Sequence, residues 1–321
     1  SEPNATEAIA AGLRARFGIG FAPEDVVMTN GNFTGLGAAL RALASPGDEV
    51  VFISPPWFFY ETLIVAAGAE PVRVLADRTT FDLDLAAIEA AIGPRTRAII
   101  VNSPNNPSGR IYPREDLDAL GRLLTEASER HGRPIVLLSD EAYNRIVFDG
   151  RDYPTPVASY PESLYIYTYG KTHLAPGMRI GFVAMHPDLA DKEELGLALT
   201  LCVLTGGWGF PVAPLQASIE ELEVFTVDIP TLQRRRDVLV STLREQGYEI
   251  VEPEGTFYIL ARSPLPDDEA FCAALRAHDV YVLPGAMFEM PGWFRISVTA
   301  SDDMVERSLP GFAKAIAGAR P

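Results

Sequence analysis

The stretch SLYIYTYGKTHLAPGMRIGF, residues 163–182, decides how this chain is read. Ser163 to Tyr167 has the apolar pattern of a short buried strand and runs straight into a Gly-flanked turn that carries Lys171. Arg179 follows eight positions later, ahead of a second apolar run. A lysine in a tight turn after a buried strand is badly placed as a solvated charge and well placed to meet a buried electrophile. Desolvation and the neighbouring cation Arg179 would both favour its neutral amine, so Lys171 is a candidate Schiff-base lysine. An ordinary turn lysine fits the same local pattern; the choice depends on what stands elsewhere in the chain.

Upstream, PIVLLSDEAY (residues 134–143) reads as a buried parallel strand that ends in an acid, Asp140, with a phenol, Tyr143, one turn further on. Ligands of open parallel sheets sit at the carboxyl ends of strands, so Asp140 would face a site there. An acid suits a cationic ring nitrogen and a phenol suits a ring oxygen, although an Asp that merely caps the next segment is equally compatible. RAIIVNSPNNPSG (97–109) is another short apolar strand followed by a strong turn signal, from which Asn106 can present its amide. DVVMTNGNFTG (25–35) opens an Ala/Leu-rich helix, and free N–H groups at such a terminus favour an anion.

A Schiff-base lysine, an acid, a ring-oxygen partner and a phosphate cradle together describe a pyridoxal phosphate site. In order and spacing these pieces resemble the fold-type I aminotransferases of classes I and II over nearly the whole chain. The resemblance implies an α/β fold of the aspartate aminotransferase type, with a mainly parallel seven-stranded sheet, helices on both faces, and a smaller α+β domain. It also implies pyridoxal 5′-phosphate as cofactor, amino-acid and 2-oxo-acid substrates, and a homodimer with active sites at the subunit interface.

By this resemblance, Asp140 pairs with the pyridine nitrogen and keeps it protonated, while Tyr143 and Asn106 hydrogen-bond the ring 3-oxygen. Trp57, in PPWFFY (55–60), takes the place of the aromatic that stacks on the ring. Arg179 matches the phosphate-binding arginine, with Thr168 and the backbone amides near Asn32 and Phe33. Near the C-terminus, VYVLPGAMF (280–288) and WFRISV (293–298) follow the family pattern, so Arg295 matches the arginine that grips the substrate α-carboxylate as a bidentate pair. Asn106 would share that substrate contact. GTFY (255–258) resembles a strand that lines the smaller domain. The expected reaction is ping-pong transamination through Lys171, which forms an imine with the cofactor and then carries the proton. A β-lyase or a specialised secondary-metabolism enzyme on the same scaffold, and a non-catalytic binding or regulatory module, remain alternatives at this stage.

Two departures bear on specificity. Phe33 stands where aspartate-using bacterial members commonly carry a lysine for the distal carboxylate, which counts against a dedicated aspartate enzyme. Family members also usually carry an N-terminal arm ahead of the point where this chain starts, and an omitted arm is the expectation. Trp208, in VLTGGWGF (203–210), is a candidate for the substrate pocket or for an interface, and His173 for packing near Lys171.

With 321 residues, 47% of them hydrophobic, the chain can bury a large core. A formal charge of −16 repels nucleic acid and anionic membrane alike, so neither is expected as a partner. Cys202 and Cys272 lie far apart in apolar contexts, as free thiols of a reducing compartment do, and the four histidines have no metal-ligand spacing. With no signal segment or long apolar span, the cytoplasm is the default location.

Apolar runs predict strands near 26–29, 49–53, 71–75, 97–101, 134–139, 163–167 and 180–184, alternating with helices near 34–44, 58–67, 82–91 and 114–131. Residues 186–246 are mostly helical and connect two domains. Beyond them, strands near 248–252, 257–261, 279–282 and 294–298 and helices near 267–277 and 302–317 form the smaller domain. The expected division is 19–210 for the cofactor-binding domain and 211–321 for the small one, with residues 1–18 as a helix of the small domain.

Overall fold

The computed structural model describes residues 1–319. Its larger sheet has seven strands: β1 (Val26–Thr29), β2 (Glu49–Ser54), β3 (Glu70–Leu75), β4 (Thr96–Asn102), β5 (Val136–Asp140), β6 (Ser163–Thr168) and β7 (Gly181–Met185). They lie in the order β1-β7-β6-β5-β4-β2-β3. All pairs are parallel except the two that β7 makes, with β1 and β6. The strands are buried on both faces, which is why they read as continuous apolar runs rather than alternating ones.

Period-two alternation sends the two faces into different cores. Val27, Val50, Phe52, Ala98, Ile100, Leu138, Leu164, Ile166 and Val183 share one core. It is closed by α2 (Asn32–Leu43) and α3 (Tyr60–Ala66). On the opposite face, Val51, Ile53, Ile99, Val101 and Leu137 meet helices at Leu85–Ala91 and Arg114–His131. Those two helices cover only part of that face. Its remainder, presented by Val26, Met28, Tyr165, Tyr167, Phe182 and Ala184, is covered by α1 (Pro3–Phe17) through Ala5, Ile9, Ala10 and Leu13.

This corrects the assignment of residues 1–18 to the small domain. The apolar stripe of α1 lies on the large sheet because that half of the sheet has no other cover. Full burial of Ile9 and Leu13 is worth about 1.5–3 kcal/mol each. Residues 211–226 go the same way: Ile219, in a short helix at Ile219–Val224, is buried in the same core. The core of the small domain begins with Val227, Ile229 and Leu232. The predicted 186–246 stretch is therefore several helices, at Lys192–Thr205, Ala213–Ala217, Ile219–Val224 and Ile229–Gln246.

The small domain has four antiparallel strands in the order β10-β11-β9-β8, where β8 is Ile250–Val251, β9 Tyr258–Arg262, β10 Leu283–Pro284 and β11 Trp293–Ser297. Helices at Ile229–Gln246, Asp268–Arg276 and Asp302–Ala319 close its core. The strand expected at 279–282 begins later. Residues there still complete the turn that ends the preceding helix: Asp279 is left-handed (φ 60°) and the Val280 N–H bonds the Leu275 carbonyl. The loop after β5 joins the two domains, since Ala142, Tyr143, Ile146 and Phe148 are buried in the small-domain core.

Candidate active site

Parallel register brings the ends of β4 and β5 to one level, with β6 running two residues beyond them. Asn102, the last residue of β4, is paired with Asp140, the last residue of β5, and Asp140 is paired with Ile166 of β6. The cleft beyond these ends has a volume of about 150 Å³ and opens to solvent. Of the residues singled out in the sequence, Asn32, Phe33, Trp57, Asn106, Asp140, Tyr143, Thr168, Lys171 and Arg179 all line it.

Asp140 is the floor. It is 3% exposed and accepts hydrogen bonds from Asn32 Nδ2 (2.5 Å) and Tyr60 Oη (2.6 Å). Burial raises its carboxyl above the usual carboxylate range, while the bonds from Tyr60 and Asn32 and the charge of Lys171 pull it down. Burial and the adjacent Asp140 push the Tyr60 phenol well above its ordinary value, so Tyr60 is a donor here. Asn102 fixes the strand end from the side, its Nδ2 donating to the Asp140 carbonyl at 2.8 Å.

Lys171 lies in a single helical turn, Tyr169–Thr172, immediately after β6. Its Nζ is 5.6 Å from the Tyr143 ring centre and 5.7 Å from that of Phe257. Thr168 caps the turn, its hydroxyl accepting from the Gly170 N–H at 3.3 Å and donating to the Ile180 carbonyl at 3.2 Å. Arg179 adopts a left-handed conformation (φ 48°) and donates to the carbonyls of Pro176 (3.2 Å) and Asn30 (3.0 Å). Gly31 (φ 81°) is required beside it, because a Cβ there would come within 3.0 Å of Arg179 Nη2. The N-terminus of α2 begins at this point with no side-chain cap, so its first amides face the same end of the cleft.

Tyr143 is buried, and its phenol is pushed well above the ordinary range by burial and by the neighbouring Tyr258 phenol, against the charge of Arg295. Asn106 is held at both ends: its backbone N–H donates to Asn102 Oδ1 (2.8 Å), and its side-chain Oδ1 accepts from Arg295 Nη1 (2.6 Å). Arg295 thus reaches the cleft from the small domain through Asn106. Trp57 meets Phe33 edge to face, ring centres 5.8 Å apart, and Phe59 packs on both. Trp208 lies elsewhere, against Gly37 and under Arg41 of α2. His173 bonds back to the Tyr169 carbonyl at 3.0 Å.

The sequence match to aminotransferase class I and II runs over residues 2–310. The chain belongs to that family. It is 31% identical to an aspartate/prephenate aminotransferase of Thermus thermophilus, over 98% of this chain and 81% of the relative. An aspartate aminotransferase of Thermotoga maritima is 31% identical over 94% and 78%. An aminotransferase structure from Eubacterium rectale superposes with a TM-score of 0.95 at 34% identity, covering all of this chain and 81% of that one. The protein is therefore a pyridoxal phosphate-dependent enzyme that transfers an amino group between an amino acid and a 2-oxo acid.

The residues present fit that cofactor. The cleft offers an acid at the floor, a phenol and an amide on one side, an amine, and a guanidinium, hydroxyl and free helix amides at one end. Asn32 Oδ1 is buried at the wall without a hydrogen-bond partner, which marks a polar group awaiting a ligand. Sequence reasoning missed Tyr60, Asn102 and Tyr258. Tyr60 stood inside the quoted PPWFFY stretch, but nothing in that local pattern tells which aromatic turns toward the acid.

Proposed function

We propose that Lys171 is the amine that would hold the cofactor and, once freed by the incoming amino acid, the base that would take up the substrate's α proton. The observation that carries this reading is the convergence of Lys171, Asp140, Tyr143, Asn106, Thr168 and Arg179 on one cleft at the strand ends. When bound, pyridoxal phosphate supplies an electron-withdrawing ring that stabilises the electron pair left when the α C–H bond breaks. Asp140, held by Tyr60 and Asn32, keeps a proton on the ring nitrogen. Tyr143 and Asn106 would hold the ring oxygen, and Trp57 would lie against the ring. Arg179, Thr168 and the amides of Asn32 and Phe33 hold the phosphate, where charge and helix dipole both favour an anion.

Arg295 would grip the substrate carboxylate as a bidentate pair and so orient the α carbon, with Lys171 as the base. Lys171 would serve both half-reactions, and the kinetics are ping-pong because the 2-oxo acid formed first leaves before the second 2-oxo acid binds. Replacing Lys171 by Ala tests the assignment: the lasting visible absorbance of the bound cofactor and nearly all turnover disappear together, and retained turnover overturns it.

We further infer a substrate with an apolar or aromatic side chain. The wall formed by Phe33, Trp57 and Phe59 offers no charge, and the two cations that line the cleft, Lys171 and Arg179, are committed to the cofactor. Two copies of the chain form the working unit. Leu197, Leu201 and Leu204, spaced i, i+4, i+7 on the helix Lys192–Thr205, are 62%, 50% and 48% exposed, an apolar stripe suited to a second copy. A cytoplasmic location is supported by the two unpaired cysteines, Cys202 and Cys272. No helix among the described residues is long and apolar enough to cross a membrane.

A further inference from the structure

In the small sheet, Ser297 of β11 is paired with Tyr258 of β9, and Arg295 with Leu260. Residues two apart on a strand share a face, so Arg295 and Tyr258 are diagonal neighbours on the same side of the sheet. Their side chains meet. The Arg295 guanidinium carbon is 3.8 Å from the centre of the Tyr258 ring, and the Phe288 ring centre is 5.9 Å away. Among the described residues no acidic group forms an ion pair with Arg295, so its charge is free for a ligand. The Tyr258 ring also meets that of Tyr143, centres 5.9 Å apart at 70°, and the neighbouring Tyr258 phenol holds that of Tyr143 above its ordinary range.

A guanidinium recognises a carboxylate through two parallel N–H bonds only when its plane is correctly turned. The bond from Arg295 Nη1 to Asn106 Oδ1 fixes one point and leaves rotation about that point open. A ring stacked on the guanidinium removes that freedom. We propose that Tyr258 is a positioning residue for the transfer reaction: its ring sets the plane in which Arg295 receives the substrate carboxylate, and its hydroxyl couples that guanidinium to the Tyr143 phenol. This rests on the reading of Arg295 as the carboxylate-binding group. Through the Tyr258 hydroxyl, carboxylate binding at one end of the cleft is felt by the phenol at the cofactor's ring oxygen.

The test uses the cofactor-loaded enzyme and 3-phenylpropionate, a monocarboxylate with no amino group to react, with affinity measured by calorimetry. Y258L weakens binding by about five- to thirtyfold, as expected for loss of a partly desolvated cation–aromatic contact, and Y258F, which restores the ring, recovers most of it. A second readout does not need the leucine variant to fold. In the wild type, 3-phenylpropionate moves the pH midpoint of the cofactor's visible absorbance, and in Y258F that movement falls to less than half. Carboxylate affinity in Y258L within twofold of wild type, or an undiminished midpoint movement in Y258F, overturns the proposal. R295Q separates the two layers: if it loses the carboxylate while Y258L keeps it, only the role of Tyr258 fails. If R295Q binds like wild type, the Arg295 reading itself is wrong and the proposal goes with it.

Discussion

Tyr60, in the first turn of α3, donates its hydroxyl to Oδ2 of Asp140 at the end of β5 over 2.6 Å, with 80 positions of sequence between them. Both groups are almost fully buried. Burial works against an ionised Asp140, and this bond is the first of the contacts that work for it. Replacing Tyr60 by Phe keeps the ring volume and removes the donor, so Asp140 takes up a proton more readily and, in its proposed role, would hold the cofactor's ring nitrogen less firmly. Hydrogen bonds to charged groups are worth about 1.5–3 kcal/mol, so kcat/KM should fall by roughly ten- to a hundredfold. Steady-state kinetics with the purified variant check this; a change under twofold would show that Asn32 alone suffices.

The contrast between Tyr60 and Asp140 shows where sequence reading ran out. Asp140 and Lys171 were legible only together: a capping acid and an ordinary turn lysine fit their local patterns as well, and it was the joint order and spacing with Tyr143, Asn106, Arg179 and Arg295 that resembled a cofactor site. The seven strands were legible from apolar runs bounded by turn residues, since each is buried on both faces. Tyr60 and Tyr258 sit among other aromatics whose facing is set by tertiary packing, which local pattern does not encode. The placement of α1 was missed for a related reason. Its stripe of Ala5, Ile9 and Leu13 declares a buried face, but which sheet needs covering depends on how far the other helices extend.

Glu141, next to Asp140, is fully buried and accepts hydrogen bonds from Ser139, Thr155, Tyr153 and Asn144. Burial outweighs these donors and pushes its carboxyl up to about 7. In the unfolded chain it ionises near 4.5. Between those values the folded state holds a proton that the unfolded state has released, so this group's contribution to stability falls as pH rises through that window. Glu141→Gln removes the dependence. Relative to wild type, the variant should gain about 3 kcal/mol on going from pH 4.5 to pH 7 and nothing further above it. Thermal unfolding of both proteins across that range measures the difference; parallel curves would mean that Glu141 is ionised throughout.

Phe33 lines the cleft and meets Trp57 and Phe59 edge to face; on the proposed reading this wall receives the substrate side chain. A panel of amino acids, read by conversion of the cofactor to its amine form in a single half-reaction, should favour apolar and aromatic side chains over aspartate. Pyruvate, ammonia or peroxide release in the same assay would instead identify elimination or oxidation. Phe33→Lys introduces a cation where the wall has none and should raise kcat/KM for aspartate by about tenfold or more, at the expense of phenylalanine. An unchanged preference would move the specificity determinant away from this wall.

The stripe of Leu197, Leu201 and Leu204 makes the final prediction quantitative. On a monomer these side chains expose apolar surface on a helix whose only buried members are Leu199 and Val203, an arrangement a second copy would relieve. The same helix belongs to the core that also holds Trp208 and Phe33, so a subunit docked there braces the wall of the cleft. Leu201→Asp places a charge in the middle of the stripe, where its desolvation costs several kcal/mol if two copies meet. Sedimentation should then show the wild type at twice the chain mass and L201D at the single-chain mass at micromolar concentration. Because the leucine faces solvent in the isolated chain, the variant keeps its fold, and its far-ultraviolet spectrum stays that of the wild type. A wild-type protein that sediments at the single-chain mass, or an L201D that remains paired, would exclude this stripe as the subunit contact.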